Sequence, residues 1–93
     1  MTTRVVYSRR AAAEVEEIDA FLAERSSAAA ERFRQSLERA EQQLEQFPNS
    51  GAPGIRAGTR RLIVGNYIVS YRRRGDVIEI FAVRDARRQD ARF

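Results

Sequence analysis

Apolar residues recur at helical spacing in two stretches of the first half of the chain. In residues 9–24 they are spaced by 4, 3 and 4 positions, with Phe21 beside them. This spacing predicts an amphipathic helix with one apolar side, and Ser8 is placed to cap its start. The apolar stripe consists of Ala11, Val15, Ile18 and Leu22. The carboxylates predicted to form a solvated face are Glu14, Glu16, Glu17 and Asp19.

The second stretch, which ends at Pro48, has the most regular pattern in the chain, with spacings of 3, 4, 3, 4 and 3. Ser26 or Ser27 can cap this helix, and proline cannot continue it. Two helices joined by a few residues are expected to form an antiparallel hairpin. A dimerising coiled coil is the alternative, but it needs a longer run of heptads, so packing on a sheet is favoured. The stripe consists of Ala30, Phe33, Leu37, Ala40, Leu44 and Phe47.

The second half of the chain is rich in strand-forming residues. Three strands are predicted at 61–64, 67–73 and 77–83, joined by the turns Gly65-Asn66 and Arg74-Gly75-Asp76. A further short strand is predicted at 4–7, and residues 51–58 are predicted to be a loop. Both alternating sides of the last strand are largely apolar, which indicates either a central strand covered on both faces or a strand partly covered by a partner.

The element order β-α-α-β-β-β predicts an α+β fold. In this fold a helical hairpin packs on a small, largely antiparallel sheet. Residues 1–93 suffice for one domain with one modest core. No apolar run approaches the roughly 20 residues of a membrane span, and the N-terminus lacks the apolar core of a signal peptide. We therefore expect a cytoplasmic protein without a membrane partner.

The residue types that are missing narrow the chemistry. The sequence contains no cysteine and no histidine, which excludes thiol nucleophiles, thiolate metal sites and the commonest metal ligand. Neither a P-loop nor a dinucleotide-binding glycine pattern is present. We expect no cofactor, no metal and no catalytic residue.

Charge is divided unequally between the two halves. Residues 1–50 contain 7 arginines and 9 carboxylates, whereas residues 51–93 contain 10 arginines and 4 carboxylates. A basic sheet half favours an anionic partner, either a nucleic acid or an acidic protein. Arginine suits both, because its guanidinium can bind phosphates and carboxylates through two parallel hydrogen bonds.

RNA cleavage without a metal is a more specific hypothesis than binding of an anionic partner, and the sequence supports it less well. It needs a base, an acid and cations around the phosphate. Arginine supplies cations but cannot serve as the base. The remaining candidates are Glu79, Asp85 and the three tyrosines, and Glu79 can equally be the ion-pair partner of a cross-strand arginine such as Arg72. A role in binding requires fewer special groups.

A series of short sequence features, each present once, extends along most of the chain. The helical half contains Glu17-Ile18, Ser27, Ala30, Phe33, Leu44, Phe47, Pro48 and Gly51. The sheet half contains Arg60-x-Leu62, Tyr67, Tyr71, Ile78, Ile80, Val83 and Ala86-Arg87-Arg88. In this order the features resemble a toxin of the ParE/RelE superfamily from bacterial toxin–antitoxin systems.

The resemblance implies one of two activities. RelE-like members are implied to cut mRNA at the ribosome, usually with a histidine or tyrosine near the C-terminus, and this sequence has neither beyond Tyr71. ParE-like members are implied to inhibit DNA gyrase by binding it. The Arg60-x-Leu62 pair and the Ala86-Arg87-Arg88 ending favour the ParE-like branch, and Asp85 stands where many relatives have histidine. The alternatives are a RelE-like ribosome-dependent mRNA endonuclease and a non-toxic basic interaction module.

The resemblance also implies a ParD-like antitoxin as partner in a hetero-oligomer. Its acidic, amphipathic C-terminal segment would fold around this chain. The predicted antitoxin contacts are Val15, Ile18, Leu22, Phe33, Leu37 and Tyr71. The predicted target-facing residues are Arg60, Arg84, Arg87, Arg88 and Phe93. Direct nucleic-acid binding stays open, as does a structural role for Arg60 through an ion pair with Glu79 or a helix carboxylate.

Overall fold

The computed structural model describes residues 3–87 as two helices and a five-stranded sheet. The helices are α1 (Arg9–Arg25) and α2 (Ser27–Gln46). The strands are β1 (Arg4–Tyr7), β2 (Ala52–Pro53), β3 (Thr59–Val64), β4 (Tyr67–Arg74) and β5 (Val77–Asp85). The predicted α+β fold, with two helices on one sheet, is confirmed.

Serine caps begin both helices. The Ser8 Oγ accepts a hydrogen bond from the Ala11 N–H at 3.0 Å, and the Ser26 Oγ accepts one from the Ala29 N–H at 3.1 Å. Each bond satisfies an amide that the first helical turn leaves without a partner. Because Ser26 alone separates the helices, the chain must reverse sharply, and α1 and α2 pack against each other.

The sheet has the strand order β1-β5-β4-β3-β2. β1 is parallel to β5, and the remaining pairs are antiparallel, so β5 is a central strand, as one of the two interpretations of its sequence predicted. The strand β2 lies in the segment predicted to be a loop, where Ala52 and Pro53 pair with Arg61 and Arg60. Two residues are too few to show an alternating pattern, which is why the sequence did not indicate this strand.

The core lies between α2, α1 and one face of the sheet. The α2 stripe provides Phe33, Leu37 and Leu44, which are at most 6% exposed. Burying such side chains stabilises the fold by roughly 1.5–3 kcal/mol each. The sheet contributes Val69, Tyr71, Ile78, Ile80 and Val83, all at most 1% exposed.

A β-bulge interrupts the pairing of β4 and β5. Ser70 lies opposite Ala82 and Tyr71 lies opposite Ile80, so Phe81 has no residue opposite it. An extra residue of this kind shifts the alternation of the strand, so the side chains that follow it point to the opposite face of the sheet from the one expected without the bulge. As a result Val83 reaches the same buried cluster as Ile80, although three positions separate them.

The β1 side of β5 is only partly covered by a strand. The pairing with β1 ends at Tyr7 opposite Ile80, and no other strand of residues 3–87 continues it along this edge. The backbone beyond Ile80 therefore meets α1 directly, and this junction shapes the site described below. Within the same described range, neither helix is long and apolar enough to cross a membrane.

Candidate functional site

Glu14 on α1 joins the helix to the uncovered edge of β5. Its Oε1 accepts a hydrogen bond from the Val83 N–H at 2.8 Å. Its Oε2 lies 2.8 Å from the Nε of Arg84, with the geometry of an ion pair rather than of an aligned hydrogen bond, and 3.3 Å from the Nε of Arg10. The Glu14 side chain is 15% exposed and that of Arg84 18% exposed. The carboxylate therefore takes the place of a neighbouring strand.

A groove opens between α1 and the ends of β4 and β5, with a volume of about 610 Å³. Its apolar wall comes from α1, at positions three and four apart, which lie on one helix face. Phe21 is 54% exposed, and the guanidinium carbon of Arg25 lies 3.7 Å from its ring centre. The lining residues are Glu14, Glu17, Ile18, Phe21, Leu22, Tyr67, Val83, Arg84, Asp85 and Arg87.

Charged groups lie at the β-sheet rim of this groove. The Arg87 Nη2 lies 2.7 Å from Asp85 Oδ2, and its Nε donates to Oδ1 at 3.0 Å. This pair raises the pKa of Arg87, while burial and the Asp85 carboxylate raise the pKa of Tyr67. The Tyr67 ring packs on Phe33, with centroids 5.0 Å apart. An aromatic surface beside a fixed cation suits a partner that offers both apolar and anionic groups.

A second groove, of about 470 Å³, lies on the other side of α1 against α2. It is lined in part by Val15 and Leu37, and its acidic rim includes Glu16, Glu38 and Glu41. At its end the Tyr7 hydroxyl donates to Glu41 Oε2 at 2.6 Å. Burial, together with the hydrogen bond to this carboxylate, raises the pKa of Tyr7 above its ordinary value. The arginine that lines the second groove, Arg34, comes from α2, whereas Arg84 in the first groove comes from β5.

The other end of the sheet is tied to the segment that follows α2. The buried Tyr71 hydroxyl donates to the Pro48 carbonyl and accepts from the Gly51 N–H, both at 2.9 Å. The Arg60 Nη1 donates to the Gly51 carbonyl at 2.8 Å. A Cβ on Gly51 would lie 2.7 Å from the Arg61 carbonyl oxygen, so the close approach of this segment requires glycine.

Side chains with the chemistry for acid–base catalysis are held by other groups. Glu79 Oε1 accepts from the Arg72 Nε at 2.8 Å, which is the ion pair that the sequence analysis gave as the alternative to a catalytic role, and Asp85 is bound to Arg87. Tyr71 is completely buried. Among residues 3–87, no three acidic side chains come together as potential metal ligands.

This combination of fold and site agrees with a family match. The model of the ParE toxin of the type II toxin–antitoxin system parDE matches residues 5–90. The chain belongs to the ParE toxin family. As a member it is the toxin of a type II toxin–antitoxin system, and an antitoxin is therefore its implied partner.

A solved structure resembles this ParE-family toxin closely in fold. A chain from the structure titled "Chromosomal ParDE TA system from P. aeruginosa" is 24% identical in sequence, with a TM-score of 0.74. The match covers 90% of this chain and 96% of that chain. At this level of identity the likeness supports the fold alone. None of the curated protein sequences matches the chain.

In this ParE-family toxin, the residues predicted to face the target differ in their exposure and in the groups that they bind. The side chain of Arg87 is 74% exposed, whereas Arg84 is held against Glu14. Arg60 lies on β3 and pairs with neither Glu79 nor a helix carboxylate, since it binds the Gly51 carbonyl. The predicted positions Arg88 and Phe93 are outside the described residues.

The residues predicted to face the antitoxin divide into two sets. Val15, Ile18 and Leu22 are partly buried along α1 and line the two grooves. The other three, Phe33, Leu37 and Tyr71, belong to the buried core. Leu37 nevertheless lines the second groove.

Sequence reasoning missed the role of Glu14. The sequence analysis assigned Glu14 to a solvated face, but its side chain is largely buried and hydrogen-bonded to β5. One signal was available, because Glu14 precedes Ile18 and Leu22 by one and two helical turns and so shares their face. Phe21 and Tyr67 were also missed as groove residues, since nothing in their local spacing indicates where β4 meets α1.

Proposed function

We propose that this ParE-family toxin inhibits DNA gyrase by binding it and that a ParD-like antitoxin neutralises it. The family match over residues 5–90 is the observation that carries this proposal. No chemical step by the toxin is required, because stalling a gyrase–DNA complex needs only a complementary surface.

The state of the titratable side chains supports binding over RNA cleavage. A general base must reach the proton that it removes. Glu79 and Asp85 instead hold Arg72 and Arg87, and the Tyr71 hydroxyl is buried in hydrogen bonds to the backbone. Releasing any of them would cost the fold an interaction.

We place the gyrase contact at the end of β5 and in the residues that follow it. Arg87 carries a charge that is both accessible and oriented by Asp85. Such an oriented guanidinium loses less conformational entropy on binding a partner than a freely rotating one. We include Arg88 and Phe93 in the proposed contact on the sequence analysis alone. Arg84, which is paired with Glu14, belongs to the same end of β5.

The test is a supercoiling assay with purified gyrase, run beside a ribosome-programmed mRNA cleavage assay. We expect loss of supercoiling with accumulation of cleaved DNA, and intact mRNA. The variant Arg87→Gln should weaken inhibition by about tenfold, the loss expected of an oriented charged contact. The matched control Arg32→Gln removes the same charge from an exposed position of α2 and should inhibit as the wild type does.

The outcomes separate the candidate functions. Cleaved mRNA with unaffected gyrase would replace this proposal with the RelE-like endonuclease. If neither assay responds, a non-toxic interaction module or another target takes its place. Equal weakening by Arg87→Gln and Arg32→Gln would show that net charge, and not the end of β5, governs inhibition.

We further propose that the antitoxin lies along α1, in the groove that contains Ile18 and Leu22. An amphipathic segment could bury its apolar side on Ile18, Phe21 and Leu22, in the manner of helix-in-groove recognition. Acidic residues of the segment would meet Arg87 at the rim. Phe33 supports this surface from the core, where its ring packs on Tyr67, whereas Tyr71 is buried at the opposite end of the sheet.

The variant Phe21→Ser tests this surface without opening the core, because Phe21 is 54% exposed. We expect it to weaken binding of the proposed ParD-like antitoxin by about tenfold, the cost of losing one large apolar contact at an interface. The matched control is Ile55→Ser, which removes an apolar side chain that is even more exposed, at 65%, from the loop after β2. If Phe21→Ser bound the antitoxin with unchanged affinity in a calorimetric titration, the antitoxin would have to bind outside the α1 groove.

A further inference from the structure

A small crevice at the opposite end of the sheet from the α1 groove contains two arginines. It lies between the segment after α2 and the β3–β4 ladder, and its volume is about 230 Å³. None of the residues that line it is acidic. They are Asn49, Pro53, Gly58, Thr59, Arg60, Tyr71 and Arg73.

The strand register places both arginines on the same face. Arg60 on β3 lies opposite Tyr71 on β4, and Arg73 follows Tyr71 by two residues, so its side chain points to the same side. Arg60 and Arg73 are therefore diagonal neighbours, roughly 7–8 Å apart at the backbone. Two long guanidinium side chains at this distance can reach one small ligand between them.

The wall of the crevice is fixed by hydrogen bonds that leave donors unused. The Arg60 Nη1 donates to the Gly51 carbonyl at 2.8 Å, and the Arg73 Nε donates to the Gly75 carbonyl at 2.8 Å. A guanidinium has five N–H donors, so most remain available on each. The Tyr71 hydroxyl, bonded to Pro48 and Gly51, holds the floor in place.

These two arginines differ from those of the α1 groove. Arg84 and Arg87 are each paired with a carboxylate. Neither Arg60 nor Arg73 contacts a carboxylate anywhere in residues 3–87. Two cations that line one crevice without an acidic group raise the local positive potential, which favours an anionic ligand.

We propose that this crevice binds a phosphate group, presented by a nucleotide or by the backbone of a nucleic acid. A carboxylate has two coplanar oxygens that a single guanidinium can satisfy. Phosphate has more oxygens in a tetrahedral arrangement, and it can accept from Arg60 and Arg73 at once. The crevice is smaller than the roughly 300–1,000 Å³ of sites for drug-sized ligands, so it holds the phosphate rather than a whole base. The site is separate from the proposed antitoxin groove and does not rest on the gyrase proposal.

The proposal can be tested by NMR titration of the arginine Nε–Hε signals of the whole chain in phosphate-free buffer. The ligands are inorganic phosphate, a 5′-mononucleotide, a short single-stranded DNA and, for comparison, a glutamate-rich peptide. We expect saturable shifts of Arg60 and Arg73 with the phosphate ligands. Tighter binding of the mononucleotide or of the DNA than of inorganic phosphate identifies the source of the phosphate.

The variant Arg73→Gln should weaken phosphate binding by about tenfold, because it removes one of two charge-assisted donors. Arg61→Gln is the matched control, since Arg61 pairs opposite Ser70 on the other face of β3 and the charge change is the same. Arg60→Gln should weaken binding as well, but it also removes the bond to Gly51. Because Arg73 is exposed, we expect Arg73→Gln to fold as the wild type does, so weaker binding by this variant reports on the crevice.

Three results would overturn the proposal. One is the absence of saturable shifts of Arg60 and Arg73 with every phosphate ligand. The second is equal weakening by Arg73→Gln and Arg61→Gln, which would indicate diffuse attraction to a basic surface. The third is tighter binding of the glutamate-rich peptide at these two arginines, which would make the crevice a carboxylate site.

Discussion

Removing the Glu14 carboxylate is expected to cost this toxin a large part of its stability. Glu14 binds the Val83 N–H at 2.8 Å and pairs with Arg84 at 2.8 Å, and both side chains are less than one-fifth exposed. The β1 ladder stops at Ile80, so no strand of residues 3–87 pairs with this edge of β5 at Val83.

The magnitude follows from the two contacts. A hydrogen bond to a charged group contributes about 1.5–3 kcal/mol, and removing one partner of a buried ion pair costs up to about 3–5 kcal/mol. Since both side chains retain some contact with water, we expect Glu14→Ala to lower the free energy of unfolding by about 3 kcal/mol, out of the roughly 5–15 kcal/mol typical of a domain. The melting temperature should fall by about 4–8 °C for each kcal/mol.

The assay is urea unfolding followed by circular dichroism. Glu14→Gln keeps an oxygen that can accept from Val83 but loses the charge, so it should lie between the wild type and Glu14→Ala. The matched control is Glu17→Gln, an exposed carboxylate on the same helix, which should change the unfolding free energy by less than about 0.5 kcal/mol.

A double-mutant cycle isolates the ion pair. With Glu14→Gln and Arg84→Gln we expect a coupling free energy within the range of about 0.5–3 kcal/mol found for contacting residues. The reasoning would be refuted if Glu14→Ala cost less than about 1 kcal/mol, because the buried pair would then only balance its own desolvation. A coupling near zero would show that Glu14 acts through Val83 alone.

Three further predictions concern the hydrogen bonds of the core. The fold raises the pKa of Tyr7, so the protonated Tyr7 hydroxyl makes its full contribution to the free energy of unfolding below pH about 10, the pKa of an unfolded tyrosine. This contribution is then lost above that pH at up to about 1.4 kcal/mol per unit, and Tyr7→Phe should lessen this loss in urea unfolding. Tyr71→Phe leaves the Gly51 N–H and Pro48 carbonyl without their partner and should cost about 1–3 kcal/mol in the same assay. Gly51→Ala should lower the melting temperature measurably, since its Cβ would meet the Arg61 carbonyl oxygen at 2.7 Å.

Each of these predictions has an opposing result. A pH profile of Tyr7→Phe identical to that of the wild type would assign the alkaline loss to Tyr67, whose pKa is also raised. Wild-type stability of Tyr71→Phe would mean that water replaces the lost hydroxyl. An unchanged melting temperature for Gly51→Ala would show that the segment after α2 can move away from β3.

Local features of the fold were predictable because neighbouring residues determine them. The caps at Ser8 and Ser26 depend on an oxygen three residues from the amide that it binds. The hairpin turns depend on Gly65 and Gly75, whose φ angles are +59° and +60°, a region that glycine enters without steric cost. Periodicity determined the rest of both helices, within one or two residues at their ends.

Register and long-range pairing were decided by the tertiary structure. β1 is separated from β5 along the chain by two helices and three strands, and its parallel pairing with residues 77–80 has no sequence signal of its own. The bulge at Phe81 likewise depends on how β4 and β5 fit the core. Because the bulge turns Val83 inward, no simple alternation in the sequence could place the residues that follow.

The sequence by itself determined the fold class, the resemblance to the ParE family and the concentration of arginine in the sheet half. Only the tertiary structure decided which charges are accessible. It buries Arg84 against Glu14, leaves Arg87 at a groove rim and brings Arg60 and Arg73 to one crevice without a carboxylate. The physical reason is that the composition of a chain determines its net charge, whereas an ion pair forms only between groups that the fold brings within a few ångströms.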